Sequence, residues 1–237
     1  MDILNALVVF LNFVFIPAAA YGAQLALGAL GVTLIYGILR FSNFAHGDTM
    51  AFGTAVTILA TWGLQAMGVS LGPLPVALLA LPVGIAATAL LVLGTDRVVY
   101  RFYRQQRAAP IILVMASVGV MFLMNGITRL LIGVDEHRFA DGARFVIDVR
   151  TFREMTGLAE GLALRTTQVL TLVVAVIVVW ALFRFLNHTK SGKAMRAYSD
   201  NEDLALLSGI DPEKVVRMTW VIAAGLATIA GSLYGLD

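Results

Sequence analysis

Long apolar runs, charged only near their ends, constrain this chain more than any other feature. They are Ile3 to Ala20, Leu25 to Leu39, Thr49 to Met67, Leu74 to Gly94, Pro110 to Ile132, Thr167 to Leu186 and Val215 to Tyr234. Most approach the roughly 20 residues that a helix needs to cross bilayer hydrocarbon. Backbone N–H and C=O groups find no water there, so a chain of such runs must satisfy them within helices. The expected fold is all-α: a polytopic membrane protein with about seven transmembrane helices, organised as one domain over 1–237. Composition agrees, with 59% hydrophobic and 14% charged residues, against roughly 25% charged in soluble domains.

The first run ends in Ala18-Ala19-Ala20, which mimics a signal-peptidase site. The residues ahead of it include Asp2 and no Lys or Arg, the wrong sign for a secretory signal, so it reads as a retained span. Gly28, Gly31 and Gly37 in the second run offer close helix approach. Pro82 suggests a kink in the fourth. With a cytoplasmic N-terminus, the inner segments hold Arg40, Arg97, Arg101, Arg104, Arg107, Arg184, Lys190, Lys193, Arg196, Lys214 and Arg217. The outer ones hold Arg129, Arg138, Arg144, Arg150, Arg153 and Arg165. Most of these lie in a long extracytoplasmic loop, 133–166, that also carries Asp135, Glu136, Asp141, Asp148, Glu154 and Glu160. The Lys and Arg bias therefore puts the loop 187–214 in the cytoplasm. The net charge of +2 is spread over such loops and is no nucleic-acid signal. With no Cys, neither disulfides nor thiolate metal sites are available.

Within that cytoplasmic loop, SDNEDLALLSGIDPEK (Ser199 to Lys214) is dense in helix punctuation. Ser199 and Glu202 have capping-box spacing, and Glu202 and Asp203 put negative charge in a first turn. Leu204, Leu206 and Leu207 are apolar contacts, and Gly209 can take the left-handed conformation that closes a helix. Asp211-Pro212 then restarts as N-cap and first helical residue. The expectation is a helix of about two turns, a Gly hinge and a second helix leading into the last apolar run. By local features alone this is also an ordinary connecting loop.

The second polar interruption, RFSNFAHGD (Arg40 to Asp48), is too short and too weakly polar for an extramembrane loop. Arg40 suits a helix C-terminus, Ser42 and Asn43 can satisfy freed carbonyls, and Gly47-Asp48 reads as a turn with Asp48 capping the next helix. Irregular backbone at this depth needs protein or a wet cavity around it, and in transporters such breaks often lie beside the substrate route. His46 lacks partners for a metal site, since His137 and His188 fall on opposite sides. The apolar runs offer no carboxylate for a proton relay, so His46 reads as a packing residue. Asn125 reads as interhelical glue.

The chain TKSGKAMRAYSDNEDLALLSGIDPEKV resembles the cytoplasmic loop of ABC-importer permeases of the branched-chain amino-acid and urea group. The likeness rests on Gly192, Arg196, Ala197, Asn201, Ala205, Leu207, Gly209 and Ile210. Asp200 and Asn201 stand where many relatives have an Ala-Glu or Glu-Asn pair, so the acidic part of the motif is displaced. YGILRFSNFAHGD resembles the signature after the second span of the same group, and DRVVYRFYRQ its basic loop. The resemblance implies that Asn201, Glu202, Leu204, Ala205, Leu207, Gly209 and Ile210 couple to an ATPase. It implies that Asn43, Phe44, Ala45, His46, Gly47 and Asp48 belong to the substrate pathway. It also implies two cytoplasmic ABC ATPase subunits, a second homologous permease, a periplasmic substrate-binding protein, and a bacterial inner membrane as the site of action. No cofactor is implied, and ATP hydrolysis falls to the separate subunit.

Ser191-Gly192-Lys193 is not a phosphate loop, because Ala194 follows the Lys and the earlier Gly is missing. HExxH and GxSxG are absent. The alternatives left are a urea or short-amide permease, a secondary carrier or channel, and a structural subunit. A coupled carrier usually needs ionisable groups inside its spans. The stripe Ala223, Ala227, Gly231, Gly235 wants a close neighbour, which the preceding spans are not expected to supply. Members of the resembled group continue past the equivalent of Asp237, so the chain is expected to be C-terminally truncated.

Overall fold

A computed structural model describes residues 3–72, 74–135, 137, 139, 145–158 and 160–236. Asp2, Glu136, Arg138, Asp141, Arg144 and Asp237, used above, lie outside the described residues. The long helices are α1 (Ile3–Leu39), α2 (His46–Ala66), α3 (Ala77–Gln105) and α4 (Pro110–Ile132). On the 133–166 side, a two-stranded antiparallel ladder of β1 (Phe145–Ile147) and β2 (Leu164–Arg165) flanks α5 (Val149–Thr156). Then come α6 (Thr166–His188), α7 (Lys190–Asp200), α8 (Glu202–Leu207) and α9 (Pro212–Leu236).

The count of seven spans is changed by α1. The two runs read as separate spans form one helix of 37 residues, with a π turn at Leu11–Phe15. Tyr21 to Gln24, which separate the runs, include no strong breaker. Gln24 hides its amide by donating to the Leu233 carbonyl, 3.3 Å away. At about 1.5 Å per residue, α1 is near 55 Å long and overshoots the hydrocarbon. Its first turns meet the long loop: Glu160 N–H donates to Asn5 Oδ1 at 3.4 Å, and Ala163 N–H to Asn12 Oδ1 at 3.1 Å. The Ile3 end therefore lies on the same side as the 133–166 loop, opposite to the expectation of an N-terminus beside the 187–214 loop.

Among the described residues five helices are long and apolar enough to cross a membrane: α1, α3, α4, α6 and α9. Helix α2 is of similar length but more polar. Thr49, Thr54, Thr57 and Thr61 each donate to the carbonyl four residues earlier, which hides their hydroxyls from an apolar surrounding.

Helix α9 is the centre of the bundle, with Trp220, Ala223, Ala224, Ala227, Ala230 and Leu233 fully buried. Its small-residue stripe does find a neighbour, contrary to expectation. A Cβ at Gly231 would sit 2.3 Å from Thr54 Oγ1 of α2. One level below, a Cβ at Gly53 would meet Thr228 and Thr88, and one at Gly84 would lie 2.0 Å from Thr57 Oγ1. Without a hydrophobic drive between helices in lipid, such close backbone approach is what holds α2, α3 and α9 together. Helix α6 lies outside this centre against α1 and leaves Val176, Ile177, Trp180 and Phe183 exposed, a surface suited to lipid.

Candidate functional site: a broken span and a capped loop helix

The break begins where α1 stops. Arg40 takes the left-handed conformation (φ 58°) as C-cap, and its N–H donates to the Tyr36 carbonyl. The chain then turns back along α1, because His46, the first residue of α2, packs against Gly31. A Cβ on Gly31 would come within 2.6 Å of the imidazole. That contact lies eight residues before Leu39, about 12 Å back from the end of α1. Helix α2 thus starts well inside the bundle, and residues 41–45 form a re-entrant stretch.

Side chains satisfy the irregular backbone, as burial requires. Asn43 Oδ1 accepts from Ala45 N–H at 3.1 Å and from the Tyr100 hydroxyl at 3.2 Å. Phe44 N–H donates to Ser117 Oγ at 3.1 Å. Phe41 is buried against Tyr100, with ring centroids 5.3 Å apart. Asn43, Ala45 and His46 are buried, and Phe44 is 58% exposed. His46 Nε2 has no hydrogen-bond partner among the described residues. Gly47 and Asp48 are not a turn but belong to the first turn of α2, and Asp48 makes no capping bond. Its Oδ1 instead accepts from Asn125 Nδ2 at 3.0 Å, which gives Asn125 the interhelical role expected of it.

Above the break, a cavity of about 630 Å³ opens between α1, α2, α4 and α9. Gly47 is the one residue of Asn43 to Asp48 that lines it. The wall mixes Tyr21, Gln24, Thr54, Thr128, Asp135 and His137 with Met50, Ala55, Ile58 and Ile132.

At the other end of the bundle, α7, α8 and the start of α9 form a compact corner. Thr189 caps α7, its hydroxyl accepting from Gly192 N–H at 2.9 Å. A Cβ at Gly192 would lie 2.2 Å from the Phe185 carbonyl, so the corner between α6 and α7 needs that glycine. The expected Ser199–Glu202 capping box does not form. Ser199 is inside α7 and donates to the Gly37 carbonyl at 2.9 Å, while the Arg40 guanidinium donates to the Ser199 carbonyl. Asn201 is the N-cap of α8, its Oδ1 accepting from Leu204 N–H at 3.0 Å. Glu202 takes the Tyr198 hydroxyl at 2.7 Å. Burial, helped by that carboxylate, holds the Tyr198 phenol above its ordinary range. Gly209 is left-handed (φ 80°) and Asp211 caps α9 by accepting from Glu213 N–H at 2.9 Å, both as the sequence predicts.

Helix α8 hangs from this frame by Ala205, which is buried, and by half-buried Ile210 in a cluster with Ile38, Met195, Tyr198 and Val215. Its other face is open: Leu204 is 60% and Leu207 85% exposed, with Asn201, Glu202 and Gly209 beside them.

Sequence reasoning missed the group between the two regions. Asp96 is buried within a π turn of α3 (Asp96–Tyr100). It accepts from both Nη atoms of Arg104 and, at 2.7 Å, from Trp220 Nε1. Tyr100 stacks on Trp220 at 5.3 Å and 16°. Glu213 lies 3.7 Å from Arg104 and 3.4 Å from Arg101. Asp96, Tyr100, Arg101 and Arg104 stood within a stretch read for its positive charge and its family likeness. The continuation of α3 to Gln105 turns that stretch into helix and buries Asp96 and Tyr100. Acidic and basic residues spaced along one apolar helix end were the available signal.

Fold and site together define a polytopic helical membrane protein with one broken span and an outward-facing apolar helix on a basic loop. Residues 15–237 match the family model described as branched-chain amino acid transport system / permease component. The chain belongs to that family. It is 30% identical over 219 residues to the high-affinity branched-chain amino acid transport system permease protein LivH of Escherichia coli (strain K12), covering 90% of this chain and 67% of the relative. It is 30% identical over 218 residues to BraD of Pseudomonas aeruginosa, of the same description, covering 91% and 68%. It is 28% identical over 224 residues to a probable branched-chain amino acid transport permease protein LivH of Methanocaldococcus jannaschii, covering 91% and 64%. No solved structure matches the chain.

Proposed function

We propose that this chain is the membrane-spanning permease subunit of an ATP-driven importer of branched-chain or other hydrophobic amino acids. The observation that carries the mechanism is the exposed leucine face of α8 on a frame bonded directly to the end of α1 and so to the break. A six-residue helix does not hold three exposed leucines for its own stability. It presents them to a partner, here the cytoplasmic ATPase subunits. A zwitterion cannot cross about 30 Å of hydrocarbon unaided. A second homologous permease and a periplasmic binding protein complete the machine, and the bacterial inner membrane is its place. This subunit contributes no bond chemistry.

In this reading six passes cross the membrane: α1, the break with α2, α3, α4, α6 and α9. The Ile3 end of α1 and the 133–166 loop face the periplasm, and 187–214 faces the cytoplasm. The positive charge of 187–214 supports that orientation. The cavity above the break is the outer vestibule, and its mixed wall suits a small solute with one polar and one apolar end. ATP binding draws the ATPases together, α8 follows, and the bundle moves as rigid bodies between two access states. The test is uptake by vesicles holding the assembled importer, with leucine and urea as competing solutes. ATP-dependent leucine uptake that urea does not inhibit is the expected result. Urea uptake that leucine leaves untouched transfers the assignment to the urea branch, and uptake without ATP removes the importer reading.

A further inference from the structure

We propose that Asp96, Tyr100 and Trp220 are positioning residues that carry the movement of the docking loop to the broken span; this rests on the importer reading above. The geometry is a series of ion pairs, hydrogen bonds and stacked rings that runs from the start of α9 to the break. Glu213, in the first turn of α9 just after the Gly209 hinge, pairs with Arg104 at 3.7 Å and Arg101 at 3.4 Å. Arg104 holds both oxygens of Asp96, and Asp96 takes the Trp220 indole N–H at 2.7 Å. The Trp220 ring stacks on Tyr100, whose hydroxyl donates to Asn43 Oδ1 at 3.2 Å. That same oxygen holds the Ala45 N–H of the break.

Three features separate this from ordinary core packing. A buried carboxylate is costly unless its lone pairs are filled, and here three donors from α3 and α9 converge on it. A core needing only shape would be filled more simply by an apolar side chain. Asp96 and Tyr100 stand at the two ends of a π turn, an irregularity frequent at functional sites, and unlike the π turn of α1 this one has buried residues. Finally, Asn43 Oδ1 is shared between the tyrosine and the re-entrant backbone. Withdrawal of the Tyr100 hydroxyl alters the only side-chain support that Ala45 N–H has among the described residues. A shift of the first turn of α9 relative to α3 must break or re-aim the Asp96 bonds, because carboxylate–indole geometry is directional. The stacked rings pass that shift to Asn43.

The test uses the assembled importer in vesicles, with Phe44→Cys as a reporter in a chain that has no other cysteine. Labelling of F44C by a small maleimide is measured with and without a non-hydrolysable ATP analogue, and ATP-dependent uptake is measured on separate vesicles whose permease keeps Phe44. Uptake by the protein with Phe44 in place establishes the importer reading by itself. The relay then predicts that nucleotide changes the labelling rate at least threefold. Tyr100→Phe, which keeps the stack and removes only the hydroxyl, should abolish that change and lower uptake per ATP hydrolysed, with ATPase activity retained. Asp96→Asn should do the same, and the double variant should be no worse than D96N alone, as expected for residues acting in series. If D96N does not assemble, the Y100F result stands as the test. Nucleotide-dependent labelling that survives in Y100F, additive losses in the double variant, or a labelling rate indifferent to nucleotide in F44C itself each overturn the proposal.

Discussion

The break at Arg40 to Asp48 and the docking loop at Lys190 to Pro212 both interrupt helices with short polar segments, yet they are held in opposite ways. In the docking loop each helix end is closed by a neighbour in sequence. Thr189 caps three residues on, Asn201 likewise, Gly209 supplies its own left-handed turn, and Asp211 caps two residues on. In the break the decisive partners are remote: Ser117, Tyr100, Asn125 and Gly31. A locally capped segment keeps its shape while a partner pushes on it. A segment shaped by other helices changes shape when those helices move. In the importer proposed above, this difference divides the labour: the loop serves as the handle, and the break as the element that responds.

The largest expected effect attacks the break through its remote support. Gly31→Val puts methyl groups into the imidazole of His46 and should abolish folded protein, read as loss of a monodisperse peak in detergent chromatography. Adding His46→Ala should restore part of it. No rescue would show that Gly31 serves some other contact.

Next comes the hinge of the handle. Gly209→Val forces a β-branched residue to φ 80°. Uptake should fall at least tenfold with spans and expression intact, while ATPase activity persists uncoupled from transport. Uptake near wild type would dismiss Gly209 as a hinge.

The exposed face of the handle should matter to binding and not to folding. Leu207→Asp removes a leucine whose burial in a partner is worth about 2 kcal/mol, about thirtyfold in affinity for the ATPase subunits. The melting temperature of the isolated permease should stay within about a degree, since an exposed position away from structural features changes stability little. A pulldown with purified ATPase and a melting curve separate the two, and a large drop in melting temperature would mean that Leu207 is structural.

The smallest effect is on the local cap. Asn201→Ala should cost about 1 kcal/mol, seen as faster hydrogen exchange at Leu204 N–H with the break unchanged. Exchange changes spreading to Asn43–Ala45 would show that the handle is less self-contained than its caps suggest.

The cap of α9 at Asp211, the left-handed Gly209 and the start of α4 at Pro110 were legible in the sequence, because each depends on residues within four positions. The apolar runs likewise determined an all-α membrane fold, since hydrocarbon leaves the backbone no other partner. The family likeness came from three blocks: the two polar interruptions and the basic stretch DRVVYRFYRQ. Three things needed the tertiary structure. The fusion of α1 rests on Gln24 finding Leu233 and on Asn5 and Asn12 finding the long loop. The replacement of the Ser199 cap by Asn201 rests on Ser199 reaching Gly37. The convergence of Asp96, Tyr100 and Trp220 with Asn43 joins three separate stretches of chain. Local chemistry is written within a turn or two of the residue that performs it. Contacts across 57 or 124 positions of sequence exist only once packing has chosen which faces of the helices meet.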